Sequence, residues 1–228
     1  MLADGDNGGA ICCKSSAKTI TLTSCSIINC NSTKNGGGVY VSGSSNTLSV
    51  DECLFKDCIT TSSDTAPGGG GLYMSGSASS LTVRTSTFFS CKANVGEYGG
   101  GGFHAGSMDN MILFSSRILF CSTTSRGGGV YINEYTPVTY SDTLFHGNSA
   151  DIYGGAIREF QNSRYSSITH IKFSFFTGNT APTGKGKDFS VEPDISHSPF
   201  LHCFSTAASN RVAFNDGTTS TDHSNWLP

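Results

Sequence analysis

Cysteine is the residue type whose number first suggests chemistry. The chain has nine cysteines in 228 residues, enough for several disulfides or for a metal site. Structural zinc sites need paired Cys-x-x-Cys motifs or cysteines with histidine partners at short spacings. The sequence contains no such pair, and we therefore predict neither a metal site nor another cofactor.

The positions of the cysteines indicate a structural role. Cys30, Cys58, Cys91 and Cys121 hold one position of a repeat, which later copies fill with asparagine at Asn148 and Asn179. Cys25 and Cys53 hold a second position, which becomes serine or threonine. Exchange with small polar residues predicts buried ladders in which a thiol acts as a compact apolar group and the two asparagines bond to each other. Disulfides between adjacent coils remain an alternative, because coil spacing allows them.

Acidic residues are the second candidate for chemistry. Polysaccharide hydrolases need two carboxylates held at a defined separation, and lyases need a calcium-binding acidic cluster with a basic residue. Asp51 and Glu52 are adjacent, so in a strand they face opposite ways. Asp142, Asp151 and Glu159 lie in different parts of a repeat. We predict no catalytic site.

Aromatic residues form the third candidate. One residue after the apolar end of each glycine motif, the sequence has Cys12, Tyr40, Tyr73, His104, Tyr131 and Arg158. Strand side chains alternate between faces, so this column is predicted to point outward. Such a stripe could hold sugar rings, with Arg158 available for a carboxylate. The alternative is that tyrosine simply suits an exposed strand, where it stacks on its neighbours.

Two interleaved motifs define the repeat that positions these residues. A glycine motif of the form Gly-Gly-Gly-Val or Gly-Gly-Ala-Ile recurs every 27 to 33 residues. Its apolar ends are Ile11, Val39, Leu72, Phe103, Val130 and Ile157, with a degraded copy ending at Phe189. The second motif is an apolar residue followed three later by Cys or Asn: Ile27, Phe55, Phe88, Ile118, Phe145 and Phe176. Apolar residues also recur five and seven positions before each of these, apart from Thr169 in the last copy.

This pattern predicts a solenoid. Apolar residues two apart lie on one face of a strand, and each repeat has three such short pieces. Stacking coils about 4.8 Å apart pairs their backbones and joins their apolar faces. We predict an all-β fold, a right-handed parallel β-helix of the pectate-lyase-like type, with about seven coils over residues 1–190. Residues 191–228 lose the repeat and are predicted to form an irregular cap or linker.

Composition excludes several partners. The net charge is −3 and no basic cluster occurs, which argues against nucleic acid. No apolar run reaches the roughly 18 residues of a membrane span. The first residues lack the features of a signal peptide, and the first glycine motif has no preceding half, so we expect a segment of a longer chain. Asn31-Ser32-Thr33 is an N-glycosylation sequon, relevant if the chain is exported.

Two motifs carry a family resemblance. Gly154-Gly155-Ala156-Ile157 and Phe145-His146-Gly147-Asn148 resemble the repeats of chlamydial-type polymorphic outer-membrane proteins over residues 8–190. Large surface-protein families of protozoa such as trichomonads have similar repeats, and the exchange of Cys for Asn favours that group. The resemblance implies a β-helical protein, often adhesive, at the cell surface or secreted, with a glycan or protein partner.

Three functions are compatible with these observations. The first, which we predict, is a non-enzymatic surface module for adhesion or recognition. The second is a carbohydrate-active enzyme of the pectate-lyase-like superfamily, which acidic residues clustered across neighbouring coils would favour. The third is a structural spacer.

Overall fold

The structure of the protein is a computed structural model. It describes residues 7–62, 67–133, 136–160, 169–183 and 185–191, together with the strands at 201–205 and 212–214. All regular structure in these ranges is β-strand. No helix capable of crossing a bilayer occurs in them.

The strands follow one another in successive turns. The first turn contains β1 (Ile11–Cys13), β2 (Thr19–Thr23), β3 (Ser26–Ile28) and β4 (Asn31–Ser32). The second contains β5 (Val39–Ser42), β6 (Thr47–Asp51), β7 (Leu54–Lys56) and β8 (Ile59–Thr61). The third contains β9 (Gly68–Gly69), β10 (Leu72–Ser75), β11 (Ser80–Arg84), β12 (Thr87–Phe89) and β13 (Lys92–Asn94).

The later turns repeat this order. The fourth contains β14 (Gly99–Gly100), β15 (Phe103–Gly106), β16 (Asn110–Phe114), β17 (Arg117–Leu119) and β18 (Ser122–Thr123). The fifth contains β19 (Val130–Asn133), β20 (Val138–Ser141), β21 (Leu144–His146) and β22 (Ser149–Ala150). The remaining strands are β23 (Ile157–Glu159), β24 (Thr169–Thr177), β25 (Phe189–Val191), β26 (Leu201–Ser205) and β27 (Val212–Phe214).

Corresponding strands of successive turns pair in parallel and form three main sheets. The first sheet has the order β1-β5-β10-β15-β19-β23-β25-β27. The second has two arms, β2-β6-β11-β16-β20 and β3-β7-β12-β17-β21, which β24 joins by running through both. The third sheet is β4-β8-β13-β18-β22. We call the segment that leads from the third sheet to the next strand of the first sheet the variable corner, because its length differs between turns.

The predicted all-β solenoid is confirmed, but the number of coils is lower than predicted. Five turns have all their strands among the described residues, compared with the prediction of about seven. The prediction of seven counts every motif copy as a coil, whereas only some strands of the coils after the fifth turn lie among the described residues. Most of the predicted cap, 191–228, lies outside the described residues; within it, β26 pairs in parallel with β24, and β27 with β25.

The core consists of the predicted inward columns. Leu48, Leu81 and Met111 are fully buried in one column. In another, the rings of Phe55 and Phe88 stack with centroids 4.4 Å apart. Burying one such side chain stabilises a fold by about 1.5–3 kcal/mol, and each turn adds a buried apolar side chain to these columns.

Glycine in the variable corner is required by close contact between coils. The oxygen of Gly101 would lie 2.1 Å from a Cβ placed at Gly70, and the oxygen of Gly128 would lie 2.1 Å from one at Gly101. Real Cβ atoms do not approach backbone so closely, so the repeated glycines let the coils stack.

Candidate functional site

The predicted outer column is a continuous stack. Strand register pairs Tyr40 with Tyr73, Tyr73 with His104, His104 with Tyr131 and Tyr131 with Arg158. The ring centroids are 5.2 Å apart for Tyr40 and Tyr73, and 4.9 Å apart for the next two pairs. The first sheet therefore brings the predicted residues together.

The prediction that this column faces solvent is wrong for most of it. Tyr40 is half-buried, but the exposed fractions are 7% for Tyr73, 1% for His104, 0% for Tyr131 and 1% for Arg158. A ligand sugar cannot stack on rings that are already covered on both sides. The column is thus a packed layer outside the main core.

Side chains from the variable corner contribute to this cover. The ring of Tyr98 lies 5.8 Å from that of Tyr131, and Phe160 lies 6.5 Å from Tyr98. The Arg158 guanidinium lies 4.8 Å from the centre of the Tyr153 ring and donates to Ser190 Oγ at 2.7 Å. Strand alternation correctly predicts the direction of the column, but it carries no information on loops that fold back over it.

Burial also determines the chemistry of His104. Desolvation lowers its pKa to about 3, because the charged imidazolium is disfavoured away from water. His104 is therefore neutral near pH 7, between the rings of Tyr73 and Tyr131.

The cysteine columns have the predicted buried environment from the second turn onward, whereas Cys25 and Cys30 in the first turn are half-buried. Cys58, Cys91 and Cys121 are completely buried, and Cys58 Sγ donates to the carbonyl of Ile27 at 3.3 Å. A hydrogen bond with the neighbouring thiol, together with burial, raises the pKa of Cys58 and of Cys91. Thiols that stay protonated are poor nucleophiles. None of the eight described cysteines forms a disulfide; the side chain of Cys203 lies outside the described residues.

The predicted amide ladder is confirmed, and it continues further than predicted. Asn148 Nδ2 donates to Asn179 Oδ1 at 2.9 Å, and Asn179 Nδ2 donates to Asp188 Oδ1 at 2.9 Å. Burial raises the pKa of Asp188 to about 6. The signal that could have identified Asp188 is its place in the degraded glycine motif, where other copies have Gly or Ala.

The acidic candidates do not converge. Glu159 is buried at an inward-facing position of β23, where it accepts a hydrogen bond from Tyr140 Oη at 3.4 Å. Burial, followed by the charge of Glu159, raises the pKa of Tyr140. Glu52 accepts from Ser24 and Asp142 from Ser141 at exposed corners. Within the described ranges, no three or more His, Cys, Asp and Glu side chains are arranged to hold a metal.

The predicted glycosylation site, Asn31, is exposed in β4. The next residue, Ser32, is buried and shares a hydrogen bond with Thr60 at 2.7 Å. Modification of Asn31 remains a prediction.

An exposed aromatic cluster was not predicted. Phe120 is 49% exposed, and its ring lies 5.7 Å from Phe89 and 4.9 Å from His146, edge-on in both cases. We call these three residues the Phe120 cluster; it lies where the second arm of the second sheet ends. A Cβ at Gly147 would approach Phe120 Cδ1 to 2.6 Å, so glycine leaves room for the ring.

The backbone conformation of Phe120 is a second unusual feature. Its φ is 54°, in the left-handed region that bulky residues rarely adopt. The same corner in other turns holds small or polar residues, also at positive φ: Asn29, Asp57, Ser90, Gly147 and Gly178. A phenylalanine among them was the available sequence signal.

Comparison with known families agrees with this architecture. A family model described as "Right handed beta helix region" matches residues 9–188. The chain belongs to the right-handed β-helix family. A search of curated proteins and a search of solved structures found no match. Membership of the β-helix family establishes the solenoid, whereas function must be argued from the site.

Proposed function

We propose that this β-helix is a non-enzymatic recognition module of a cell-surface or secreted protein, and that the Phe120 cluster is its contact surface for a glycan. The observation that carries the proposal is the half-exposed ring of Phe120, which has a left-handed backbone and lies edge-on against Phe89 and His146. The surface location rests on the resemblance to polymorphic outer-membrane and protozoan surface repeats.

The energetics of Phe120 support a role outside folding. A non-glycine residue in the left-handed region costs roughly 1–2 kcal/mol. The ring also stays half in water, so it forgoes much of the stabilisation that burial would provide. Strained residues persist mainly where they serve a function.

The surroundings of Phe120 suit a sugar. The apolar C–H face of a pyranose packs on an aromatic ring, while its hydroxyl groups need polar neighbours. Phe89 and His146 extend the apolar surface along the coils. Lys56 Nζ lies 5.9 Å from the centre of the Phe89 ring and 3.9 Å from Asp57 Oδ2, which supplies a donor and an acceptor at the edge of the cluster.

The non-enzymatic part of the proposal rests on the acidic side chains. Glu159 is held in the core by Tyr140, and Asp142 lies at an exposed corner. A glycosidase needs two carboxylates about 5–10 Å apart around one bond, and these two occupy different environments.

A binding assay with a matched control tests the proposal. The purified chain is incubated with immobilised neutral and acidic polysaccharides, and both retention and new reducing or unsaturated ends are measured. We expect retention without products, lost in Phe120→Ala. Phe173→Ala is the control, because Phe173 is 58% exposed and also has a positive φ of 49°, but lies at another corner.

Each contrary result has a distinct meaning. Products would refute the non-enzymatic assignment. Equal retention by Phe120→Ala and the unchanged chain would refute the assignment of the site. Absence of retention on every polysaccharide would refute a glycan as the partner.

A further inference from the structure

A second cluster, on the variable corners of the later turns, concentrates positive charge around one ring. The Arg126 guanidinium lies between two tyrosines, 5.2 Å from the centre of the Tyr98 ring and 5.7 Å from that of Tyr153. Lys185 Nζ lies 4.5 Å from the centre of the Tyr153 ring and donates to Tyr153 Oη at 3.1 Å. We call Tyr98, Arg126, Tyr153 and Lys185 the Tyr153 cluster; Arg158 approaches the same ring from beneath.

The solenoid repeat builds this cluster. Arg126, Tyr153 and Lys185 each precede the first glycine of their motif, and a β-bridge pairs Arg126 with Tyr153. In the first two turns the same position holds Asn7 and Asn35, which hydrogen-bond to each other at 3.1 Å. The position that forms a neutral amide ladder in the first two turns is therefore occupied, in the last three copies, by a cation, an aromatic ring and a second cation.

Neither Arg126 nor Lys185, the two cations of the cluster, has a carboxylate ion-pair partner in the described part of the chain, and the buried Nε of Arg126 has no hydrogen-bond partner there. Contact with the tyrosine rings stabilises each cation through cation–π attraction. Repulsion between like charges remains, and partial burial strengthens it.

We propose that the Tyr153 cluster binds an oxyanion, that is, a carboxylate, sulfate or phosphate group, through the guanidinium of Arg126, with Lys185 adding positive charge from the coil beyond Tyr153. A guanidinium binds two oxygens of such a group in one plane, and lysine adds a point charge. The rings of Tyr98 and Tyr153 hold Arg126 in place, so binding immobilises it at little further entropic cost. Arg126, Tyr153 and Lys185 are half-buried, so an anion can approach them.

This site is separate from the Phe120 cluster. It lies on the variable corner before the first sheet, whereas Phe120 follows β17 at the end of the second sheet. The two proposals can therefore fail independently.

Titration with inorganic sulfate, at an ionic strength held constant with chloride, tests the site. Binding is measured by calorimetry and by the rise of the thermal unfolding midpoint. We expect saturable binding by the unchanged chain, at least about tenfold weaker binding in Arg126→Gln, which removes the planar fork, and a smaller loss in Lys185→Gln. Lys92→Gln is the control, because it removes one exposed positive charge from β13, and it should bind sulfate as the unchanged chain does.

Two further arms make the result decisive. Arg126→Lys keeps the charge but loses the planar fork, so binding intermediate between the unchanged chain and Arg126→Gln is expected even if the glutamine variant folds poorly. An oligosaccharide bearing a sulfate or carboxylate is compared with the free anion: tighter binding of the oligosaccharide identifies a glycan-borne group, and equal binding identifies the free ion. Linear, unsaturable dependence on sulfate, or an equal loss in Lys92→Gln, would overturn the proposal.

Discussion

The imidazole of His146 lies edge-on against the ring of Phe120, with the centroids 4.9 Å apart and the planes at 81°. The two residues belong to successive turns, so the contact exists only because the coils stack in register. Glycine at position 147 leaves the space that the phenyl ring occupies. The stacking of the coils, the contact with His146 and the space left by Gly147 together hold the strained and exposed ring of Phe120 in a fixed position.

The strain at Phe120 has a measurable consequence for stability. Phe120→Ala and Phe120→Gly both remove the ring, but only glycine tolerates the φ of 54° without steric cost. We expect the glycine variant to be more stable than the alanine variant by about 1 kcal/mol, and both to lose glycan retention. The free energy of unfolding is measured by urea denaturation.

Phe114 provides the matched control for this comparison. It is exposed to 43% but lies in β16, where no positive φ occurs. At an ordinary strand position, glycine destabilises by roughly 0.5–1 kcal/mol relative to alanine. The order of the two variants should therefore reverse at Phe114, and the same order at both sites would show that Phe120 is unstrained.

The inward columns were predictable because they obey two simple rules. Alternation along a strand assigns Leu48 and Phe88 to the inner face, and a fixed spacing repeats that assignment in each turn. The cover over the outer column follows no such rule. Tyr98 lies on a corner of variable length, and its contact with Tyr131 depends on how that corner folds rather than on any period.

The exposed cluster around Phe120 is a second feature that the sequence pattern does not predict. Phe120 directly follows β17, at a corner where strand alternation assigns no direction to the side chain, so the repeat predicts nothing about this ring. The corner column becomes visible only when Phe120 is aligned with Ser90 and Gly147. This alignment shows that Phe120 is unusual for its corner. It does not predict which side chains contact the ring, because the approach of Phe89 depends on side-chain packing.

The thiol column predicts selective protection from alkylation. Hydrogen bonding to neighbouring thiols and burial raise the pKa values of Cys58 and Cys91, so little reactive thiolate forms at pH 8. We expect iodoacetamide to label them at least about tenfold more slowly than the half-buried Cys12, with rates read by mass spectrometry. Unfolding in urea should make the rates equal. Rapid labelling of Cys91 in the folded chain would contradict the buried ladder.

The raised pKa of Asp188 predicts how the free energy of unfolding depends on pH. Burial raises its pKa to about 6 in the folded protein, above a value of about 3.9 in the unfolded chain. Between these values the folded state keeps a proton that the unfolded state has released. The free energy of unfolding should therefore fall as the pH rises from about 4 to about 6, by about 2 kcal/mol in total for this group.

Replacing the carboxyl group distinguishes the contribution of Asp188 to the pH dependence of stability from the contributions of the other titrating groups. Asp188→Asn has no charge to bury, and its carbonyl oxygen can still accept the hydrogen bond from Asn179, which is 2.9 Å long in the unchanged protein. This variant should be more stable than the unchanged chain at pH 8 and should lose the decline between pH 4 and 6. Asp142→Asn, at an exposed corner, should keep the decline. If urea denaturation shows the same pH profile for Asp188→Asn and the unchanged chain, the carboxyl of Asp188 is solvated in the folded protein, and the buried ladder ends at Asn179.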